Sequence, residues 1–398
     1  MRHIQTHRNK EMRRKRRSVR RIAAAAAALA LVAADYLVSN LSFPLLDASE
    51  SLAWSGFLLP DRNRLETDDA LFVNVALDRA LVPVLDEFGD TAGVRMITDR
   101  EKLLRFLRIA SEAEYRCLFL DVRFERGLES EQDSALYDLM RRLPRFAFST
   151  HRPDGGYELA DPGLAAQGAM ADYRGNMFNG FSRYEFLQDG RESAALRMHR
   201  EAGGDGIVRC GPLYRSDGRL VYNMLFLPLP ADLDRRIDEK GRVRYPYLGS
   251  ELLRGYSGQE LAERMRGKVV VIGDFDDDLH QTYVGTVPGP MIHYYAFRAL
   301  ESGANRVKLP CLLLMLCVYF LVLADLTAEA GFVSRLAARF RIRSRFGRLV
   351  LSFCGWELVL SLLKIVLYLA FGFSFITALP SAVFSAVQLW KEWEADAL

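Results

Sequence analysis

Three aspartates follow apolar runs that read as buried strands: Asp78 after Leu71–Leu77, Asp121 after Cys117–Leu120, and Asp274 after Val269–Ile272. In an open parallel sheet the carboxyl ends of the strands line one crevice, so these carboxylates could together hold a divalent cation or a cationic ligand. Arg100 and His280 are the candidate counterparts, and Asp278 lies beside His280 in a loop with Asp276, Asp277 and Thr282. The same side chains also have a structural reading, because carboxylates at strand ends cap helices, close turns and pair with residues such as Arg100. The Asp276–Asp278 run lacks the spacing and terminal Glu of a calcium hand. His280 and His293 have no partnering Cys, so no zinc site is indicated and no cofactor is expected.

Catalysis is the competing use of such carboxylates. Asp78 is followed by Arg79-Ala80-Leu81, without the second Asp and the Thr of a phosphatase nucleophile loop. No Ser sits in a G-x-S-x-G elbow, and no Gly-rich phosphate loop, kinase motif or cyclase-like segment occurs. The expectation is a protein that binds rather than an enzyme.

The elements that must position these residues alternate. A helix starts near Thr98, where Thr98 and Glu101 have capping-box spacing, and Leu103, Leu104, Phe106, Leu107 and Ile109 give it an apolar face. Glu131–Leu143 is a second helix, Phe146–Ser149 a further strand, and Met291–Ser302 a helix behind the turn made by Gly285, Pro288, Gly289 and Pro290. This order predicts an α/β fold, a mostly parallel sheet covered by helices. Thr150–Gln259 is less regular. Its Tyr157, Tyr173, Phe178, Phe181, Tyr184 and Phe186 either line a ligand pocket or pack a secondary core. Val221–Leu229, edged by prolines, reads as a strand.

Charge and hydropathy set the frame around this domain. Met1–Arg21 holds ten Arg and Lys against one Glu, whereas Pro44–Lys308 holds 35 basic and 42 acidic residues. The mildly acidic middle argues against nucleic acid as a partner, and the basic run beside an apolar segment reads as a topology signal. Four transmembrane helices are expected: 22–41, 309–328, 349–371 and 373–390. A cleaved signal peptide is the alternative for the first, with small residues at Val32–Ala34. Asp35 lies near the outer end, where it can reach water. The Arg-rich loop 329–348 would be cytoplasmic, as would residues 1–21 and 391–398, which leaves 44–306 outside. Glu357 and Lys364 share one helix face, so they form either a polar contact between helices or an interfacial Glu and a snorkelling Lys. Cys311, Cys317 and Cys354 fall in spans. Cys117 and Cys210 could bridge in an oxidising periplasm, although Cys117 also reads as core.

From Gly267 to Leu300 the order is strand, carboxylate loop, V-P-G-P, I-H helix, then a span. On Gly267, Lys268, Val271, Ile272, Gly273, Asp278, Pro288, Gly289, Ile292, His293 and Ala296 the stretch resembles the end of the CHASE sensing domain of the second type, CHASE2. The first half adds Val75, Ala76 and Asp78, then Arg100, then Phe119–Phe124 as F-L-D-V-x-F, then Asp133, Ala135 and Leu136. The resemblance covers about residues 45–390. It implies a bacterial inner-membrane receptor whose external domain lies between one span before it and three after it.

Family members commonly continue into a cytoplasmic output domain, whereas this chain stops eight residues past Trp390. The expected partners are therefore the lipid bilayer, an unknown extracytoplasmic ligand, and an output or envelope protein on a separate chain; a homo-oligomer is compatible with the sequence. In this reading a ligand held by Asp78, Arg100, Asp121, Asp274, Asp278 and His280 shifts the Met291–Ser302 helix. Gly289, His293, Glu357 and Lys364 are the candidate coupling residues, and Gly303–Lys308 passes the shift to the second span. The rival class is a structural or assembly component that docks another envelope protein constitutively.

Overall fold

The computed structural model describes residues 2–41, 68–85, 88, 90–125, 127–152, 161–173, 180–181, 183–227, 229–230, 232–238, 240–327, 339, 344–371, 375 and 377–396. The chain divides into two compact units, Phe43–Asn305 and the combination of Met1–Ser42 with Arg306–Leu398.

The first unit is built on a five-stranded sheet of β1 (Ala70–Asn74), β4 (Cys117–Asp121), β5 (Phe146–Thr150), β6 (Gly168–Met170) and β14 (Val269–Gly273). Its order is β1-β14-β4-β5-β6 and every pairing is parallel. Alternate residues go to opposite faces, as the two-residue strand period requires. Phe72, Phe119, Val269 and Val271 enter one core, and Leu71, Val73, Leu118, Leu120, Val270 and Ile272 enter the other. Both faces are buried, which explains why these strands read as unbroken apolar runs.

On the second of these faces lie α2 (Arg100–Ser111), α3 (Asp133–Met140) and α5 (Gly258–Met265); α4 (Ala194–Glu201) and α6 (Gly289–Glu301) cover the first. Eleven of the thirteen residues of α6 are buried. Between β6 and α5 the chain forms short pieces: β7 (Arg183–Glu185), β8 (Leu187–Gln188), β9 (Arg191–Glu192), β10 (Val208–Cys210), β11 (Leu213–Ser216), β12 (Arg219–Val221) and β13 (Met224–Phe226).

Several boundaries differ from the sequence reading. Asp99, not Thr98, caps α2: its carboxylate accepts from the Glu101 and Lys102 amides, while Thr98 ends a strand. The strand before Asp78 stops at Asn74, and an unexpected hairpin of β2 (Arg79–Leu85) and β3 (Thr91–Thr98) follows. The expected carboxylate loop is partly a hairpin of β15 (Leu279–Thr282) and β16 (Gly285–Pro288), and α6 begins at Gly289. The expected strand Val221–Leu229 is broken at Asn223, whose side chain bonds the backbone of Leu187 in both directions. Cys117 is buried, Cys210 is exposed, and both are free.

Among the described residues of the second unit three helices are long and apolar enough to cross a membrane: Ser18–Ser39 within α1 (Arg2–Ser39), Leu309–Leu326 as α7, and Phe346–Tyr368 within α8 (Arg345–Phe371). The fourth expected span is shorter. Helix α9 (Ala378–Asp396) is apolar over Ala378–Trp390, and residues 372–374 lie outside the described set, as does most of the basic loop 329–348. Asp35 does not reach water; it is 2% exposed and accepts a hydrogen bond from Tyr319 of α7. An unpaired carboxylate buried between apolar helices would be costly, so the pairing helps fix how α1 meets α7.

Replacing Asp99 by Ala is expected to destabilise the protein by about 1 kcal/mol through the lost cap, whereas Thr98→Ser leaves the cap intact. Thermal melting of the full-length protein in detergent checks this. A larger drop for Thr98→Ser would contradict the assigned cap.

Candidate functional site

The carboxyl ends of β4, β5, β6 and β14 meet at one cavity of about 360 Å³. Asp121 closes β4, His151 follows β5, and Asp172 and Tyr173 follow β6. Asp278 and His280 come from the chain after β14, and His293 rises from the second turn of α6. The topology alone brings three carboxylates and three imidazoles to one crevice, as strand ends do in open α/β sheets.

Two of the carboxylates have their own imidazole. His151 Nδ1 lies 3.0 Å from Asp172 Oδ1, and the Arg152 amide donates to the other oxygen at 2.9 Å. His280 Nε2 lies 3.0 Å from Asp278 Oδ1. Asp278 also stands at the start of α6, where the helix dipole favours negative charge, and its carbonyl accepts from the Gly289 amide. Gly289 is needed for that approach. A Cβ there would lie 2.2 Å from Asp278 Oδ2 and 2.8 Å from the Tyr173 hydroxyl.

The third pair is different. His293 is 1% exposed, and its Nδ1 lies 2.7 Å from the Tyr184 hydroxyl, which already accepts from the Ala195 amide. Tyr184 is therefore assigned as donor to Nδ1, which leaves the proton of a neutral ring on Nε2. That nitrogen faces Asp121 Oδ2 at 3.9 Å, beyond hydrogen-bond reach.

Burial pushes the Asp121 carboxyl up to about 7, and the nearby Asp278 charge pushes the same way against the opposing charge of His151. Burial also drives His293 down to about 3, so its ring is neutral. At His151 burial works against the charge, but the hydrogen bond to Asp172 and the field of Asp121 outweigh it and the pKa is raised. At Asp172 burial is outweighed by His151 and the Arg152 amide, which hold the carboxylate below its usual range. The Tyr173 ring stands between two of the imidazoles, 4.6 Å from His280 and 5.1 Å from His293. Among the described residues no three His, Cys, Asp or Glu side chains are set to hold a metal ion.

Of the residues expected from sequence, Asp121, Asp278, His280 and His293 meet here, with Gly289 behind them. Asp78 and Asp274 do not converge with Asp121. Asp78 accepts from Lys102 Nζ at 2.9 Å and from the Gly249 amide at 3.0 Å. Asp274 pairs with Arg79 and accepts from the amides of Asp276 and Asp277, closing a turn. Arg100 is also elsewhere, buried 3.6 Å from Asp133 with its guanidinium over Phe124. These three fill the structural roles that were the alternative reading. Glu357 lies in the other unit, where it accepts from Thr377, just before α9, and from Ser381 within it, and Lys364 is buried there.

His151 and Asp172 were missed as site residues, and the contact of Tyr184 with His293 was not foreseen. His151 could have been found, since it stands two residues past the expected strand Phe146–Ser149 and directly follows the observed one, which runs to Thr150. Asp172 follows a strand of three residues, too short to leave a pattern. Of the noted aromatics, Tyr173 and Phe181 line the cavity, Tyr184 and Phe186 are core, and Tyr157 and Phe178 lie outside the described residues. A larger groove of about 840 Å³ runs along β1, but ion pairs occupy its walls, such as Arg242 with Asp238 and Arg235 with Asp232.

Compared with family models, curated proteins and solved structures, the chain matches none.

The two buried groups oppose each other in their effect on stability. Native Asp121 keeps its proton up to about pH 7, whereas the unfolded carboxyl releases it near 3.8, so its contribution is full below pH 3.8 and is lost as pH rises through 7. Native His293 stays neutral down to about pH 3, whereas the unfolded ring takes a proton near 6.5, so stability is lost as pH falls from 6.5. Each slope is at most ~1.4 kcal/mol per pH unit. Relative to wild type, Asp121→Asn is expected to lose stability more steeply towards acid, and His293→Gln to gain it. Melting midpoints of the full-length protein at pH 4.5, 5.5 and 6.5 check this. Parallel profiles for all three proteins would contradict the assigned protonation states.

Proposed function

We propose that this chain is a multi-pass protein of a bacterial inner membrane whose α/β unit lies outside the cytoplasm. In this reading the unit senses a ligand in the cavity at the strand ends and signals through the membrane helices to a partner on a separate chain. The observation that carries the reading is the path of α6. It brings His293 to the cavity wall, is buried along its length, and ends at Glu301, where Ser302–Lys308 leads directly into α7. A ligand that favours one position of α6 would bias the start of a membrane helix, provided its affinity differs between the two positions. The CHASE2 resemblance supports the same assignment, on the residues quoted for it.

In this reading both termini are cytoplasmic, which the basic segment before residue 22 and the Arg-rich stretch that follows α7 support. On the same reading three helices cross the membrane and α9, apolar over Ala378–Trp390, returns the chain. Alkaline phosphatase fused after Gly218 should be active, and the same enzyme fused after Leu398 should be inactive. The opposite pattern would overturn the topology.

The signalling claim is tested by purifying the intact protein from its native membrane. A cyclase, kinase or regulatory protein should accompany the wild type, in an amount that changes when Asp121 is replaced by Asn. An envelope protein held by the external unit, with no cytoplasmic effector, would contradict sensing and favour constitutive assembly.

A further inference from the structure

The cavity also indicates what it would bind. Asp172 and Asp278 are each matched by an imidazole at 3.0 Å, but Asp121 is not. Its side chain is 8% exposed, and among the described residues the basic group within 4 Å is the neutral His293, 3.9 Å away. His151 and His280, each engaged with its own carboxylate, act on it only from farther off. A buried carboxyl without a charged partner is costly when ionised, and a cation arriving beside it removes that cost. The adjoining walls suit a small organic cation. Tyr173 and Phe181, with ring centroids 5.5 Å apart, add apolar surface to the wall for the carbon part of such a guest. The Tyr173 hydroxyl beside Asp278 can accept an N–H bond. The volume of about 360 Å³ suits a metabolite-sized guest.

We propose that the cavity binds a small primary or secondary amine in its ammonium form, held by Asp121 and Tyr173. This rests on the sensory reading of the same cavity and adds the chemical class of its ligand. Several titratable groups face Asp121: Asp278 and His280 from the segment after β14, His151 after β5, Asp172 and Tyr173 after β6, and His293 from α6. His151 and Asp172 form a paired unit, and the His293 ring stays neutral. Asp121 therefore loses its proton near neutral pH, and ammonium binding strengthens as pH rises from 6 to 8 and releases that proton.

The test uses the full-length protein in lipid nanodiscs, titrated with putrescine, ethanolamine or methylammonium, with ethylene glycol and acetate as neutral and anionic controls. Calorimetry and the melting midpoint are both read. At least one amine should bind saturably and raise the midpoint, more strongly at pH 8 than at pH 6, while the controls do neither. Asp121→Asn should weaken binding at least about tenfold, Tyr173→Phe should weaken it less, and Asn at the exposed Asp205 should leave it unchanged. If Asp121→Asn does not fold, Tyr173→Phe and the pH dependence still decide.

Equal binding of ethylene glycol or acetate, no saturable amine binding, or undiminished binding by Asp121→Asn would overturn the proposal. Amine binding with no change in partner recovery would remove the sensory reading and leave this one standing. Partner recovery that depends on Asp121, with no amine bound, would do the reverse.

Discussion

Burying α6 against the parallel sheet is the constraint on which the site depends. Met291, Ile292, Tyr294, Ala296 and Phe297 are all fully buried and fill the core over β1, β4 and β14. A helix so enclosed must bring His293 into the interior as well. The ring is tolerated because Tyr184 satisfies one nitrogen and because it gives up its charge. Asp121, on the strand beneath, meets the same low dielectric and keeps its proton to near neutrality. The cavity is thus a place where packing holds two titratable groups away from their ordinary states, a condition common at functional sites.

The sheet was legible in the sequence because burial on both faces leaves short apolar runs with Asp or Gly at their ends. Val269–Gly273 and Cys117–Asp121 were recoverable almost to the residue. Less visible was which strand ends share a crevice. Asp78 and Asp274 have the same local pattern as Asp121, but Asp78 lies beyond a turn after β1 and is drawn to Lys102 and Gly249. Asp274 is drawn to Arg79 on the hairpin that was not expected. A carboxylate takes the nearest donor, and sequence spacing does not show which donor the fold supplies. Asp172, which sequence reading missed, follows a strand of three residues that only pairing with β5 identifies.

The membrane unit follows a related logic. Two carboxylates in its apolar helices are paired with other segments: Asp35 with Tyr319, and Glu357 with Thr377 and Ser381. Such pairs fix rotation and register because an unpaired alternative is expensive in hydrocarbon. Hydropathy gave the helices, but the partner of Asp35 on α7 depends on a contact 284 residues away in sequence.

The central claim is that the state of the cavity reaches the membrane through α6. Hydrogen–deuterium exchange of the full-length protein in nanodiscs tests it most directly, comparing wild type with Asp121→Asn at pH 8, above the raised pKa of the wild-type carboxyl, where the amide carries no charge. The account predicts that exchange differs both in α6 and in the Ser302–Lys308 connection. A difference confined to the cavity residues, with α6 and the connection unchanged, would contradict it.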